Sequence, residues 1–352
     1  MMLLYDILPG LTWNDYGGTL PYCSHRRSVS HGAVFAGEYA ATGESATMTV
    51  RALKSVETIA RLNGSAGGVD IHSGEVLGRK GQMIVRLAAG KGEIEAAQAL
   101  RYQIFYEEMD AQPDPQMRSN RRDADEFDAI CDHLLVITTH GGSGETTPIK
   151  VEDGEVVGTY RLLRQDVAER NSGFYSADEY DIGPLLQAKG GTLSFVELGR
   201  SCVLEPYRTK PVIELLWMGI WSYLQAHQLD VMLGCASLEG TDPQALALPL
   251  SYLHYRHRAP LEWRVRALPE RYVDMALLPR DQLDEREAMR ALPPLIKGYI
   301  RAGAYVGDGA VIDHQFNSTD VFIVMPVTDI NKRYLSHFAG QQVALVNTDP
   351  AL

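Results

Sequence analysis

The segment VELGRSCVLEPYRTKPVIELL, residues 196–216, constrains the fold of this chain most strongly. Its first apolar run contains Glu197 and Arg200 and ends near Pro206, and a second apolar run follows Lys210. Apolar runs separated by turn residues are typical of a buried strand followed by a helix. Because unpaired buried charges are costly, an acid and a base inside such a strand predict a sheet that carries functional groups.

The rest of the chain alternates between strand and helix patterns. GEVVGTYRLL, LDVMLGCASLEG, AVIDHQF and DVFIVMPV predict strands, and AAQALRYQIFYEEM and LPPLIKGYIRAG predict helices. Another helix is predicted to begin in TDPQALALPLSYLHYRH, with Thr241 or Asp242 as its N-cap. This alternation predicts an α/β fold with a central twisted mixed sheet flanked by helices, and a C-terminal α/β extension.

Three regions are predicted along the 352 residues. Residues 1–78 are rich in Gly, Ser, Thr and Ala without a sustained period, which predicts a flexible N-terminal extension. Residues 79–340 should form the folded domain, and residues 341–352 a C-terminal tail. The apolar start is broken by Asp6 and Pro9 and lacks basic residues, so it is a poor signal peptide.

Composition narrows the class of protein. A formal net charge of -12 argues against nucleic acid as the main partner, because phosphate binding needs a surplus of Lys and Arg. The four cysteines are scattered without a CxxC pair, which indicates buried thiols in a reducing compartment. No run approaches the ~18 apolar residues of a membrane span. A cytoplasmic protein, at most peripheral to a membrane, is predicted.

Several charged residues lie where the pattern predicts core. Arg101 shares a helix face with Phe105, so its guanidinium either meets a carboxylate or ligand or extends along Phe105 to solvent. Arg161 lies in an apolar strand and needs an acid partner, for which Glu197 is a candidate. Structural ion pairing would explain each of these residues without catalysis.

An acidic segment precedes the strand CDHLLVIT. It contains four aspartates: Asp123, Asp125, Asp128 and Asp132. Clustered carboxylates repel one another unless cations meet them, and those cations could be the arginines or a cationic substrate. A solvated acidic loop is the alternative, and the spacing does not fit a calcium loop.

A bulge is predicted near Gly199. In a regular strand Glu197 and Arg200 would point to opposite faces, and a bulge would turn Arg200 toward the face of Glu197. A bulged strand also offers backbone N–H and C=O groups to an extended ligand. Thr209 could cap the following helix, whose first N–H groups favour a phosphate.

Two further groups of residues are weaker candidates for other chemistry. His254 and His257 are one helical turn apart, but no HExxH motif accompanies them and no metal site is predicted; His254 is an alternative base. Cys202 could be an acyl-enzyme nucleophile, but without a histidine partner in the sequence a structural thiol is favoured.

Four ordered elements carry a resemblance. Arg101-x-x-x-Phe105, Asp125-x-x-Asp128, Gly158-x-x-Arg161-Leu-Leu and Glu197-x-x-Arg200 resemble the signature of acyl-homoserine lactone synthases, which have the GNAT acyltransferase fold and use acyl carrier protein thioesters. The segments RYQIFYEEM, DEFDAICDHLLV, GCASLEGTDP and GDGAVIDHQFNSTDV are closely similar to L-ornithine N(alpha)-acyltransferases. The resemblance covers about Leu77 to Phe338 and implies a GNAT-like fold.

The resemblance also implies a reaction. A 3-hydroxyacyl group passes from acyl carrier protein to the α-amine of L-ornithine, giving lyso-ornithine lipid, the first step of ornithine-lipid synthesis. Glu197 would act as base, directly or through water, and Arg200 would hold the acidic loop and the acceptor carboxylate together with Arg101 and Arg161. One or more of Asp125, Asp128 and Asp132 would take the side-chain ammonium.

The donor turn LEPYRTK has no glycine, unlike the pyrophosphate-binding turn of enzymes that use coenzyme A. It suits a phosphopantetheine arm, and Arg208 and Lys210 could contact the acidic carrier protein. The predicted donor site comprises Val203, Leu204, Arg208, Thr209 and Lys210. No cofactor is implied beyond the phosphopantetheine of the carrier, and transient membrane contact is expected because the product is amphiphilic.

Alternatives remain open from the residues. The acceptor could be glutamine, glycine or lysine, and homoserine lactone synthesis is a related activity. A haemolysin-like lytic protein and a non-catalytic module that binds acyl carrier protein belong to other classes.

Overall fold

The computed structural model describes residues 71, 73–139 and 149–330. The strands are β1 (Val76–Lys80), β2 (Met83–Leu87), β3 (Asp132–Thr138), β4 (Lys150–Val151), β5 (Gly154–Arg164), β6 (Tyr180–Asp181), β7 (Phe195–Val203), β8 (Val231–Glu239), β9 (Arg266–Ala267), β10 (Tyr305–Asp313) and β11 (Ser318–Pro326). The helices are α1 (Lys91–Tyr102), α2 (Pro115–Asn120), α3 (Gln165–Ala168), α4 (Gly183–Lys189), α5 (Lys210–Ala226), α6 (Ala247–His257), α7 (Glu285–Ala291) and α8 (Pro294–Ala302). A π-helix, Gln103–Glu108, continues α1, and short 3₁₀ turns include Glu126–Ala129 and Tyr175–Asp178.

The strands form a mixed sheet in the order β1-β2-β3-β5-β7-β8-β11-β10-β9-β6, with β4 added beside β5. Neighbours from β1 to β7 are antiparallel, and β7 pairs with β8 in parallel. Helix α5 makes the connection from β7 to β8, as a parallel pair requires a crossover. The predicted α/β fold with a twisted mixed sheet is confirmed.

Helix α5 packs closely on the sheet. It contacts β1, β2, β3 and β5, and its buried face includes Val212, Leu215 and Leu216. A Cβ atom at Gly219 would lie 2.8 Å from side-chain atoms of Val85 and Leu134. A glycine at this position therefore allows the helix to approach the strands, which fixes where its first turn meets the end of β7.

Strands β7 and β8 diverge after a short paired stretch. The pairs run from Phe195 opposite Val231 to Glu197 opposite Leu233, although β7 continues to Val203 and β8 to Glu239. No further β7–β8 pair forms among the described residues. We call this place the β7–β8 opening; it leaves backbone N–H and C=O groups of two neighbouring strands facing each other without a ladder.

A bulge lies in β7 on its other edge. Arg161 pairs with Gly199 and Thr159 pairs with Cys202, so two residues of β7 oppose Tyr160 alone. Arg200 has a φ of 50°, in the left-handed region, whereas the sequence placed the irregularity at Gly199. The predicted bulge is confirmed, and its strained residue is the arginine that follows the glycine.

Several predicted elements shift at their ends. Helix α6 begins at Ala247 rather than at Thr241 or Asp242, and the Asp242 carboxylate instead accepts a hydrogen bond from Gln244 N at 2.9 Å. The predicted strands AVIDHQF and DVFIVMPV form the β10–β11 hairpin. Strand β1 begins at Val76, and most of the predicted N-terminal extension and the whole predicted tail lie outside the described residues. None of the helices that are described has the length and apolar content to cross a membrane.

Candidate active site

A buried network of arginines and aspartates joins α1, the acidic segment and the central strands. Arg101 of α1 is fully buried; its Nε lies 2.7 Å from Asp123 Oδ2 and its Nη2 lies 2.7 Å from Asp128 Oδ2. Tyr106 donates to Asp123 at 2.9 Å and Gln98 donates to Asp128 at 2.9 Å. The alternative in which Arg101 extends to solvent is wrong, because the carboxylates hold it inside.

Arg161 of β5 and Arg200 of β7 complete this arginine–aspartate network. Arg161 Nη1 donates to Asp125 Oδ1 at 2.5 Å and to Asp128 Oδ1 at 3.1 Å. Arg200 donates from Nε to Asp123 Oδ2 and from Nη2 to Asp125 Oδ2, each at 3.1 Å. Three guanidinium groups thus meet three carboxylates, which matches their charges within the buried site. Arg161 finds its acid partners here rather than in Glu197.

The acidic segment owes its shape to its own hydrogen bonds as well. Asp125 caps the 3₁₀ turn Glu126–Ala129: its side chain accepts from Asp128 N at 3.2 Å, and Asp128 accepts from Asp125 N at 3.3 Å. This reciprocal capping box explains the Asp-x-x-Asp spacing. It aims both carboxylates at the arginines of β5 and β7.

Opposite charges decide the protonation of the buried aspartates. Burial opposes the ionisation of Asp128, but the guanidiniums of Arg101 and Arg161 hold its pKa well below its usual range. Burial likewise opposes the ionisation of Asp123, but the charges of Arg200 and Arg101 lower its pKa. Both carboxylates are therefore ionised and committed to arginines.

Two aromatic rings lie close to the guanidinium of Arg200. Its guanidinium carbon lies 4.7 Å from the centroid of the Tyr175 ring and 4.9 Å from that of Phe316. Phe105, which is buried, packs edge-on against Phe316 with the ring centroids 5.6 Å apart. Phe105 therefore supports the ring that covers Arg200, and the β10–β11 hairpin is brought next to the network.

Glu197 is buried at the last β7–β8 pair and binds the 3₁₀ turn Tyr175–Asp178. One oxygen accepts from Tyr175 N at 2.7 Å, and the other accepts from Ser176 N at 2.8 Å and from Ser176 Oγ. Burial raises the pKa of Glu197, and these hydrogen bonds and the charge of Arg161 oppose the rise. Glu197 and Arg200 meet through Tyr175: one holds its backbone and the other stacks on its ring.

A second group of carboxylates was missed by the sequence reasoning. Glu179, Asp313 at the end of β10 and Asp320 on β11 each place one oxygen within 4.8 Å of the others. Burial raises the pKa of Glu179 to about 7, and the negative charge of Asp320 adds to the rise. Asp313 and Asp320 come from the β10–β11 hairpin, whereas Glu179 comes from a segment much earlier in the chain. The sequence signal that could have pointed to this group was the presence of Asp313 and Asp320 within predicted strands.

The donor turn after β7 is more buried than its sequence suggested. Arg208 donates to Val203 O at 3.0 Å and lies 2.5 Å from Glu108, with a side chain only 6% exposed. Lys210 is 46% exposed and lies 3.6 Å from Glu214. Thr209 is the N-cap residue of α5, without a side-chain capping hydrogen bond, and Val203 and Leu204 are buried. Lys210 is thus the cation of this turn that faces solvent.

Other residues singled out by the sequence lie outside the network. Asp132 accepts a hydrogen bond from Tyr223 at 2.5 Å. His254 packs edge-on against Tyr255, and His257 lies 3.3 Å from the Tyr252 hydroxyl. Neither histidine belongs to a group of metal-ligand side chains in the described part of the chain. Cys202 is buried, and burial raises the pKa of its thiol to about 12, which disfavours a nucleophilic thiolate.

Comparison with known proteins identifies the family in which this arrangement of residues occurs. The family described as the acetyltransferase (GNAT) domain matches residues 100–218, a range that holds the whole arginine–aspartate network and Glu197. An L-ornithine N(alpha)-acyltransferase of Rhizobium meliloti is 49% identical over 295 residues, which is 83% of this chain and 97% of the relative. The chain belongs to the L-ornithine N(alpha)-acyltransferase family. It is therefore an N-acyltransferase with a GNAT-like fold.

Other members of the L-ornithine N(alpha)-acyltransferase family are similar at comparable length. The relative from Brucella abortus is 49% identical over 266 residues, 76% of this chain and 92% of the relative. The relative from Rhodobacter capsulatus is 40% identical over 250 residues, 71% of this chain and 92% of the relative. The sequence resemblance to this family is confirmed.

Solved structures also align with this family member. An N-acyl amino acid synthase from uncultured soil microbes aligns with a TM-score of 0.37 and 10% identity, covering 76% of this chain and 98% of the other. A coenzyme A-dependent acyl-homoserine lactone synthase aligns with a TM-score of 0.36 and 14% identity, covering 71% of this chain and 82% of the other.

Proposed function

We propose that this enzyme transfers a 3-hydroxyacyl group from acyl carrier protein to the α-amine of L-ornithine and so forms lyso-ornithine lipid. The β7–β8 opening beside Glu197 carries the proposal. It offers unpaired strand backbone to an extended thioester arm next to a buried carboxylate. The curated relatives are named for acylation of ornithine, which favours ornithine as the acceptor.

The reaction needs three things from the protein. The amine must lose a proton, its nitrogen must reach the thioester carbon, and the C–S bond must break as the C–N bond forms. The released thiol takes a proton. Positioning alone can supply a large part of such a rate enhancement, and no covalent enzyme intermediate is required. A backbone N–H of β7 beyond Glu197 would polarise the thioester carbonyl.

Glu197 and the three arginines receive roles in this proposal. Glu197 accepts the amine proton, directly or through a water, because it is a buried carboxylate with a raised pKa at the β7–β8 opening. The three arginines hold the acidic segment against β5 and β7 and so keep the wall beside the opening rigid. Arg200 also supports Tyr175, whose backbone binds Glu197.

The acyl group has an apolar surface at the same opening. A small cavity there is lined by Leu198, Met232, Tyr299, Ile323 and Met325, with backbone from Gly234. We place the acyl end of the thioester against these side chains. The protein part of the donor would then dock beside the first turn of α5, where Lys210 is exposed.

The proposal is tested with purified enzyme, a 3-hydroxyacyl carrier protein and a panel of acceptors. L-ornithine, L-lysine, L-glutamine and glycine are offered separately, and the products are identified by mass. We expect acylated ornithine, with release of the free carrier thiol. Acylation of another acceptor without acylation of ornithine would refute the proposed substrate, and absence of any acylated amino acid would refute the reaction.

A further inference from the structure

The three carboxylates of Glu179, Asp313 and Asp320, here called the acidic cluster, carry charge that the described residues do not balance. One oxygen from each lies within 4.8 Å of the others. Among the ion pairs of the described residues, Arg271 alone reaches the cluster, at 3.5 Å from Glu179. In the arginine–aspartate network, by contrast, three aspartates meet three arginines.

Glu179 supplies an independent sign that the cluster receives a ligand. The residue is only 6% exposed, and its Oε2 atom is buried without a hydrogen-bond partner. A buried carboxylate oxygen that has lost water and gained no donor is costly, and a cation that donates to it removes the cost. Ser318 donates to Asp320 at 2.9 Å, so the neighbouring carboxylate is held in place by the hairpin.

The acidic cluster borders the β7–β8 opening. Asp320 pairs across the sheet with Ser237 of β8, and Cys235 lies two residues earlier on the same face of that strand. The Cys235 thiol adjoins both Glu179 and Ser176, and Ser176 donates to Glu197. A ligand held by the cluster would thus extend toward Glu197.

We infer that the acidic cluster binds the side-chain ammonium of the acceptor amino acid, an inference that rests on the proposed acylation of ornithine. The reacting amine must be neutral when it attacks. Three carboxylates would keep any amine beside them protonated, so they suit an ammonium that does not react. The reacting amine then lies toward Glu197, with one carboxylate as its neighbour.

The aspartates of the acidic segment are less suited to this task. Asp125 and Asp128 accept from Arg161, Asp125 also accepts from Arg200, and Asp132 accepts from Tyr223. An ammonium bound there would have to displace guanidinium groups that are already in place. The acidic cluster requires no such displacement.

The test compares L-ornithine with L-norvaline, the same five-carbon amino acid without the side-chain amine. Asp320→Asn and Glu179→Gln each remove one negative charge while keeping size and shape. Because a hydrogen bond to a charged group is worth about 1.5–3 kcal/mol, we expect KM for ornithine to rise about 10- to 100-fold. The kcat/KM for norvaline should stay within about twofold, and ornithine should bind the variants about as weakly as norvaline in calorimetry without donor.

Control measurements distinguish the loss of ammonium binding from other causes of a raised KM. Glu262→Gln removes an exposed carboxylate and should leave both acceptors unchanged. Equal losses on ornithine and norvaline, an unchanged KM for ornithine, or a loss that a chelator reproduces in the unaltered enzyme would each overturn the inference. Thermal unfolding checks that the variants fold. Failure of the unaltered enzyme to acylate ornithine would instead refute the proposed function itself.

Discussion

At the scale of single residues, Glu197 has a structural task in the site and, in the proposed reaction, a chemical one as well. Its two oxygens accept three hydrogen bonds from Tyr175 and Ser176, and a carboxylate can accept about four. A lone pair is therefore left for an amine or a water at the β7–β8 opening. The structural and the chemical task predict different effects on kcat when Glu197 and Ser176 are replaced.

Replacement of Glu197 by Gln should lower kcat by about 10²- to 10⁴-fold, the range of general-base catalysis. Ser176→Ala is the matched control, because it removes one hydrogen bond to Glu197 and keeps the carboxylate; its kcat should fall less than about tenfold. Both are measured at saturating ornithine and acyl carrier protein. A near-normal kcat for Glu197→Gln would place the base elsewhere.

Glu179 makes stability depend on pH. Its pKa rises from 4.5 to about 7 on folding, mainly through burial, so the folded chain holds its proton more tightly than the unfolded chain. The stabilising effect of the protonated acid is complete below pH ~4.5 and is lost as pH rises through ~7. The free energy of unfolding of Glu179→Gln should therefore exceed that of the unaltered protein at pH 8 by on the order of 1–3 kcal/mol, and its unfolding temperature should be higher.

The same comparison at pH 4.5 should show a much smaller difference between the two proteins, because Glu179 is then protonated in the folded chain and about half protonated in the unfolded chain. Exposed Glu262→Gln serves as the control and should behave alike at both pH values. A Glu179→Gln protein that is less stable at pH 8 would mean that the ion pair with Arg271 outweighs the cost of burying the charge.

At the scale of single elements, Gly234 allows β8 to approach β7 closely just beyond their last pair. Its φ of 150° lies in the region that favours glycine, and a Cβ atom there would collide with the carbonyl oxygen of Leu198. Gly234→Ala should destabilise the protein by more than about 2 kcal/mol, because the clash adds to the backbone strain. Chemical unfolding measures the loss.

Gly199 provides the matched control for that substitution. A Cβ atom there would meet nothing within 4 Å, and the residue has no positive φ. Gly199→Ala should change stability by no more than about 1 kcal/mol. Equal destabilisation by the two alanines would contradict the assignment of the constraint to the junction of β7 and β8.

The sequence predicted these elements better than their irregularities. The strand, turn and helix of residues 196–226 follow from apolar runs and turn residues. Pairing of Arg101, Arg161 and the aspartates was one prediction, with an Arg101 that extends to solvent and a solvated acidic loop as its alternatives. The bulge fell on Arg200 because its guanidinium is held by Asp123 and Asp125, contacts that no local pattern reveals. The acidic cluster escaped notice because Glu179 is far from the β10–β11 hairpin in the chain, and no single-sequence pattern shows that these two segments meet.

At the scale of the whole molecule, recognition of acyl carrier protein, the proposed donor, should depend on local charge, since the net charge of -12 would repel an acidic partner. Lys210→Glu should raise KM for acyl carrier protein about tenfold, ~1.4 kcal/mol, and leave kcat nearly unchanged. Steady-state kinetics with the carrier protein as the varied substrate provides the measurement.

Lys91→Glu makes the same change of charge at the start of α1 and is the control. Lys80 and Lys210 both pair with Glu214, so Lys80 marks the end of the β1–β2 hairpin that lies near Lys210. Lys91 follows the other end of β2 and is therefore distant from Lys210. Its KM should stay close to that of the unaltered enzyme. An equal rise in both variants would indicate a general charge effect, and no rise in Lys210→Glu would remove Lys210 from the docking surface.

The burial of the arginine–aspartate network gives the enzyme two unequal responses to ionic strength. Dissolved ions screen exposed charges beyond about 10 Å at 0.1 M, but they do not enter a site in which Arg101 is fully buried and Asp123 is 1% exposed. Added salt should thus weaken docking of the acidic carrier while the scaffold around Glu197 keeps its shape. At high salt the catalytic centre would stay intact, but the donor would bind to the enzyme only weakly.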